Sequence, residues 1–482
     1  MNELKRQTVS GIKWLVGSSF LQKAISVGTM VILARILGPA DFGLFALAFI
    51  AIDALGLFKS MGFDSALIQR KDNVEKAANT AFFIIPVLGL LLYLILAISA
   101  PLIGRFLNNE QVVSIIRVLG IIFVISCFGK VPAALMEKNM QFRQVSLIEI
   151  STSIVFSASA IILALLGRGV WSLVIAYILK TVNQNVLLFI FAKWRPRLEF
   201  DKKIALEMFH FGKFIFLGSI IWFFKANLDN ILVGKILGVT ALGLYAIAFN
   251  IANFCADYFG SKVSRVIFPT YSKMQDDLED MRFAVLKTLK YINIFAMPFG
   301  LGLFSLSKEF LTIIYGKGWV EASFSLMILS WAGILNSLSA TFAGIFLASG
   351  RPKLGFWLGT LQVFIFFIFI TPMAKLYGIN GVAIVVLISS LFSFIFGLFF
   401  TIKFTGIKVI QIYLSLKTTL LASFYMAIVI FLFKLVLVNI KMGFFVYYGF
   451  ILLFLFALIT YIYSLYIIEK KLFKEIVALI FL

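Results

Sequence analysis

Six cations interrupt stretches of sequence that are otherwise long and apolar: Lys23, Lys59, Arg117, Lys130, Lys180 and Lys225. An ionisable side chain inside a membrane span is costly if it faces lipid, so it faces protein or water and marks an ion or substrate path. Arg117 and Lys130 fall near the ends of their stretches, where snorkelling to the interface serves equally well. Lys59 is intermediate. Lys23 and Lys225 fall near the middle, where snorkelling helps least, and a watery cavity is the expected surrounding. Lys180 is similar but has fewer polar neighbours. Six cations against three deep Asp residues favour an anionic substrate.

Polar residues accompany these cations. Ser19, Gln22, Ser26 and Thr29 form a stripe at helical spacing around Lys23, which a lipid-facing surface would not tolerate. The second span adds Asp53, Gly56 and Ser60, and the eighth adds Asn250, Asn253, Asp257 and Ser264. Lys225 and Asp229 are four apart, the spacing of an intrahelical pair, so Asp229 either neutralises Lys225 or takes part in ion coupling. Depth alone makes Asp53, Asp229 and Asp257 candidates for binding a coupling proton or sodium ion. No other cofactor is expected. One His, His210, and two Cys, Cys127 and Cys255, are too few for a His/Cys metal site. Both Cys lie in apolar runs and read as buried small hydrophobes. The acidic stretch QDDLEDMR at 275–282 is flanked by cations and reads as a solvated charge run. No phosphate-cradling glycine loop is visible.

The elements that carry these residues must be membrane helices. Of 482 residues, 62% are hydrophobic and 13% charged, against about 25% charged in soluble domains. The 55 Phe exceed what a water-soluble core hides, and unbroken apolar runs select helices over the alternating strands of a barrel. At about 20 residues per crossing, fourteen spans are expected: 11–37, 41–66, 79–104, 111–134, 144–166, 171–192, 208–235, 241–268, 285–306, 323–349, 354–376, 378–401, 415–437 and 443–467. With both termini in the cytoplasm, the inward-facing loops collect about three times as many cations as the outward ones. The net charge of +21 has that source, and nucleic acid is not an expected partner. The basic opening MNELKRQTVS precedes a stretch too long for a signal-peptide core, so the N-terminus is expected to be retained. The tail 469–482 has the pattern of an interfacial helix on the cytoplasmic leaflet.

At an offset of 200, ARILGPADFGLFALAF (34–49) aligns with GKILGVTALGLYAIAF (234–249), with half of the positions identical, including Gly38, Gly43, Gly238 and Gly243. Six spans separate the copies. The chain then reads as two six-helix lobes in parallel orientation, 1–200 and 201–405, with two further helices and the tail in 406–482 and a site at the midplane between the lobes. Lys23 and Lys225 fall two positions apart in register, one on the first helix of each lobe.

The segments VILARILGPADFGLFALA, MGFDSALIQRKD and NLDNILVGKILGVTALGLYAIA resemble the polysaccharide transporter branch of the multidrug/oligosaccharidyl-lipid/polysaccharide exporter superfamily, and within it the Wzx-type flippases of O-antigen, capsule, colanic-acid or teichuronic-acid pathways. The motifs cover residues 5–275 and the remainder matches by helix count. The resemblance implies a multi-pass protein of the bacterial cytoplasmic membrane that is not an enzyme. It would move an undecaprenyl-pyrophosphate-linked oligosaccharide by alternating access, as a monomer working beside the polymerase and chain-length components of its pathway. By position, Lys23, Lys59 and Lys225, with Lys180 as a fourth, would meet the pyrophosphate, and the last two helices would hold the lipid tail. Several relatives carry Arg where this chain has Lys. Lys neutralises phosphate as a point charge without the bidentate fork, which implies a loosely oriented site.

Two rival readings remain at this level. A drug or metabolite antiporter of the same superfamily would have about twelve helices and an acidic cavity. A membrane-embedded polymerase or glycosyltransferase would need a sizeable extramembrane segment, and the polar connections here are short.

Overall fold

In lipid the backbone amides of an apolar run have no partner but their own chain, and helix is the outcome. The computed structural model describes residues 2–59, 61–197, 199–257, 271, 274, 277–438 and 445–470, and contains no strand among them. The expected interfacial tail, and Ser60 and Ser264 of the polar stripes, lie outside the described residues, apart from Glu469 and Lys470 of the tail. The helices are α1 (Asn2–Ile36), α2 (Pro39–Gly56), α3 (Phe63–Gln69), α4 (Val74–Phe106), α5 (Gln111–Leu119), α6 (Ile121–Phe128), α7 (Lys130–Lys138), α8 (Phe142–Leu165), α9 (Trp171–Ala192), α10 (Lys202–Leu237) and α11 (Val239–Ala252). There follow α12 (Leu278–Phe310), α13 (Ser323–Ala348), α14 (Pro352–Thr405), α15 (Val409–Val438) and α16 (Phe445–Ile468).

Ten segments among the described residues are long and apolar enough to cross a membrane, and two shorter apolar helices accompany them. The chain is a multi-pass helical membrane protein. One segment, Lys353–Thr405, is two helices that meet at Gly378, whose φ of 57° is cheap only for glycine. The sequence divides its eleventh and twelfth spans at that residue.

Two spans differ from expectation. The second was expected over 41–66, but α2 ends at Gly56 and a turn with Met61 and Gly62 at positive φ leads into α3. Lys59 therefore sits in the turn, not in the helix. The fourth, expected as one helix over 111–134, is divided at Gly120 and Gly129 into α5, α6 and α7. Close packing accounts for both glycines: a Cβ at Gly120 would stand 2.8 Å from Leu96, and one at Gly129 2.4 Å from Asn185 Oδ1.

The chain divides into two compact units, Met1–Gly243 and Leu244–Leu482. In the first, α8 packs against both α1 and α9. The connection 193–201 is fastened to α4 by two buried polar residues. Asn79 Oδ1 accepts from the Arg197 amide at 3.1 Å while its Nδ2 donates to Glu199 at 3.2 Å, and Thr80 Oγ1 accepts from the Asp201 amide at 3.2 Å. Trp194 stacks edge-on against Phe82, and Arg70 pairs with Glu207 at 3.1 Å. The start of α10 is thereby tied to α3 and α4. In the second unit, α12 packs against α13 and α15. Lys434 pairs with Glu309 at 2.8 Å near one end of α12, and Lys290 with Glu469 at 2.5 Å nearer the other. The two C-terminal helices α15 and α16 are anchored to α12 by these pairs and by Tyr461, which donates to the Ile294 carbonyl at 2.7 Å.

The glycines of the internal repeat meet within the first unit. A Cβ at Gly43 would lie 1.8 Å from the Val239 carbonyl oxygen, and one at Gly243 would lie 1.9 Å from the Pro39 carbonyl oxygen. Residues 39 and 239, like 43 and 243, are related by the same offset of 200. Equivalent backbones therefore cross at a distance only glycine permits. Gly43→Ala and Gly243→Ala are each expected to cost about 1–3 kcal/mol through overpacking and to lower the melting temperature of the purified protein. Gly17→Ala, on open helix surface with nothing within 4 Å, should leave it unchanged or slightly raised.

Candidate functional site

Along α1 and α8 runs a ladder of side-chain hydrogen bonds. Ser18 donates to Ser146 at 3.1 Å, Gln22 Nε2 to Glu149 Oε2 at 3.0 Å, and Thr29 to Ser157 at 2.6 Å. Part of the stripe expected to line a cavity thus serves packing: Gln22 and Thr29 turn onto α8. Ser19, Lys23 and Ser26 occupy a strip about a quarter turn further round α1. There Ser19 and Lys23 are half-buried and Ser26 is exposed. One helix therefore carries two polar faces, one spent on α8 and one still accessible.

The ladder leads to Lys180. This half-buried side chain of α9 places its ammonium 5.2 Å from the Tyr177 ring centre and 5.9 Å from that of Phe156, within cation–π range. Glu149 acts on it electrostatically. Asn183, one turn along α9, donates to Ser151 at 3.1 Å, and Asp53 of α2 acts on Tyr177. Tyr177 also meets Phe49 edge-on at 5.2 Å. Lys180 has more polar company than its sequence neighbours suggest.

A second cationic station lies at the turn after α2. Lys130 Nζ stands 3.4 Å from Asp64 Oδ2, and both groups act on half-buried Lys59. Nearby, Lys138 donates to the carbonyls of Leu67, Ile68 and Arg70, capping the C-terminus of α3. Arg117 bonds the Ala97 carbonyl at 3.3 Å. Lys130 and Arg117 thus have protein partners.

Lys225 is exposed whereas Asp229 is buried, 1% exposed. Asp229 accepts from the amide of Asn230 at 2.9 Å, and Asp53 accepts from Asn227 at 3.3 Å. In the second unit Asn250 and Asp257 are exposed, and buried Asn253 accepts from Asn336 at 2.9 Å. Among the described residues no three His, Cys, Asp or Glu side chains gather as a metal site would require.

A family model described as polysaccharide biosynthesis protein matches residues 32–324. The chain belongs to the polysaccharide biosynthesis protein family. Lipopolysaccharide biosynthesis protein WzxC of Escherichia coli (strain K12) is 26% identical over 402 residues, covering 83% of this chain and 82% of that protein. Teichuronic acid biosynthesis protein TuaB of Bacillus subtilis (strain 168) is 27% identical over 399 residues, covering 82% and 83%. The solved structure of lipid II flippase MurJ in an inward closed conformation superposes with a TM-score of 0.75, covering 96% of this chain and 99% of that one at 16% identity. That likeness shows a shared fold. The branch that the sequence motifs resemble is the one these relatives represent.

The stretch matched by the polysaccharide biosynthesis family contains Lys59, Lys180 and Lys225 together with Glu149, which the sequence analysis did not single out. Its signal was available: Glu149, Thr152, Ser153 and Ser157 recur at helical spacing along α8. In the second station, Asp64→Asn and Lys130→Met are each expected to lower thermal stability. The double variant should lose less than the sum, with a coupling of about 0.5–1.5 kcal/mol for two partly exposed partners in contact. Additive losses in melts of the three variants would show that the pair contributes nothing.

Proposed function

We propose that this protein is a flippase that carries an undecaprenyl-pyrophosphate-linked oligosaccharide repeat unit across the bacterial cytoplasmic membrane by alternating access, for synthesis of a surface polysaccharide such as O-antigen or capsule. The observation that carries the reading is a lysine, Lys180, held half-buried at mid-helix within a membrane bundle of the polysaccharide biosynthesis family. A diphosphate bearing a glycan cannot shed its hydration into hydrocarbon. Ammonium groups on Lys23, Lys59, Lys180 and Lys225 would replace that hydration one charge at a time, and Ser19, Ser26 and Asn250 would meet sugar hydroxyls. The names of the relatives, lipopolysaccharide and teichuronic acid biosynthesis proteins, support a surface-polymer glycan. The lipid II flippase with the shared fold supports a lipid-linked one. On this reading both termini are cytoplasmic, the chain acts as a monomer and passes its product to the polymerase and chain-length components, and Asp53, Asp229 and Asp257 are the carboxylates that take a coupling proton or sodium ion.

Flipping of an undecaprenyl-pyrophosphate oligosaccharide in proteoliposomes tests the reading. Losing one charge-assisted hydrogen bond costs ~1.5–3 kcal/mol, so Lys23→Ala and Lys225→Ala should each slow flipping by about tenfold or more. Normal rates in both variants would reduce these lysines to structural roles, and no flipping by the wild type with several glycan heads would refute the reading. For coupling, Asp→Asn at positions 53, 229 and 257 should abolish the gradient dependence of flipping in at least one variant. Unchanged gradient dependence in all three would remove these residues from coupling.

A further inference from the structure

Tyr177 and Lys180 are three apart on α9, six and nine residues from its start. That is about 9 and 14 Å along the axis, well inside a hydrocarbon core about 30 Å thick. The apolar residues that α9 exposes, Ile175, Leu179, Val182, Val186 and Ile190, form one stripe at helical spacing, and Tyr177 falls on the reverse face. Its ring is wedged there from two sides. Phe49 of α2 meets it edge-on at 5.2 Å and Phe156 of α8 at 6.4 Å. The half-buried tyrosine thus faces protein, not lipid.

A buried tyrosine normally gives its hydroxyl a partner, as Tyr461 does with the Ile294 carbonyl at 2.7 Å. Among the described residues the Tyr177 hydroxyl has none. Lys180 is alike: its ammonium rests over the Tyr177 and Phe156 rings at 5.2 and 5.9 Å and donates no described hydrogen bond. The polar groups around them are committed elsewhere. Asn183 donates to Ser151 at 3.1 Å and Ser157 to the Ser153 carbonyl at 2.8 Å, while Asp53 Oδ2 accepts from Asn227 at 3.3 Å and Glu149 Oε2 from Gln22 at 3.0 Å. Two uncommitted donors therefore share one face of α9, and an unpaired donor away from water is costly.

We propose that the Tyr177 hydroxyl and the Lys180 ammonium form one anion site, in which the tyrosine donates to the same lipid-linked diphosphate that the lysine binds. The inference rests on the flippase reading for its ligand and adds a neutral donor to it. The hydroxyl is carried on the rim of the ring over which the ammonium rests, so both donors come within reach of one diphosphate. Their parts differ. Lysine supplies charge on a flexible stem, whereas the wedged ring supplies a fixed direction. One oriented hydrogen bond thereby restrains a ligand that a point charge alone leaves free to turn, and it does so without a second charge to desolvate.

Binding of the full chain in detergent to undecaprenyl diphosphate, bare or capped by a single N-acetylglucosamine, tests the site. Tyr177→Phe keeps the ring with its aromatic contacts and removes only the hydroxyl. Its affinity for both ligands should fall by about tenfold or more, the worth of a hydrogen bond to a charged group. The melting temperature of the ligand-free variant should be unchanged or slightly raised, since no protein partner is lost, whereas Tyr461→Phe, which does lose one, should melt lower. Undiminished affinity in Tyr177→Phe overturns the proposal and leaves the flippase reading intact. So does a loss confined to the capped ligand, which places the hydroxyl on the sugar, and so does a loss accompanied by a lower melting temperature, which gives the hydroxyl a part in the fold. No binding of either ligand by the wild type overturns both readings.

Discussion

A charge carried into hydrocarbon has to be answered by the protein that carries it, because neither water nor counter-ions will follow. The arrangement of the first unit follows from that constraint. Lys130 is answered by Asp64, Lys138 by the free carbonyls at the end of α3, and Lys180 by two ring faces and the field of Glu149. Hydroxyls and amides obey the same rule at lower stakes. Ser18, Gln22 and Thr29 each find a partner on α8, and Asn79 uses both ends of its amide to hold the connection into α10. Where a cation is answered only by rings or at a distance, it keeps the capacity to bind something else. Lys180 is in that position.

That distinction separates lysines that build the protein from those that can act. A lysine that donates to three carbonyls, as Lys138 does, has used all its protons. One held by a π-face still has all of them available, since cation–π attraction uses the charge without using a hydrogen. Lys rather than Arg is consistent with a ligand recognised by charge more than by shape. A glycan-bearing diphosphate that has to enter at one face and leave at the other is better served by point charges than by a fork that fixes its angle.

Much of this was legible in the sequence. The helical class followed from composition, and the break at Gly378 from a single glycine between two apolar runs. The repeat was found through Gly43 and Gly243, and those glycines turn out to sit where equivalent backbones cross. What escaped had a common cause: one-dimensional spacing gives a residue's face but not what stands opposite. Gln22 and Lys23 are neighbours in sequence, and periodicity assigned both to a cavity. The structure shows Gln22 bonded to Glu149 while Lys23 lies on the adjoining strip. The turn at Lys59 was hidden because Leu57, Phe58 and Met61 carry the apolar run on to the next one at 63–68, and positive φ at Met61 and Gly62 breaks the helix.

The repeat keeps its backbone contact while its polar residues diverge. Within the helices that the offset of 200 aligns, Arg35 corresponds to Lys235 and Asp53 to Asn253. The cation is kept in both copies, whereas the carboxylate of the first copy is an amide in the second, and that amide accepts from Asn336. Placing an ionisable group in a membrane span is the expensive step and an amide is the cheap substitute. A carboxylate kept in the first copy alone therefore points to a duty that this copy alone performs.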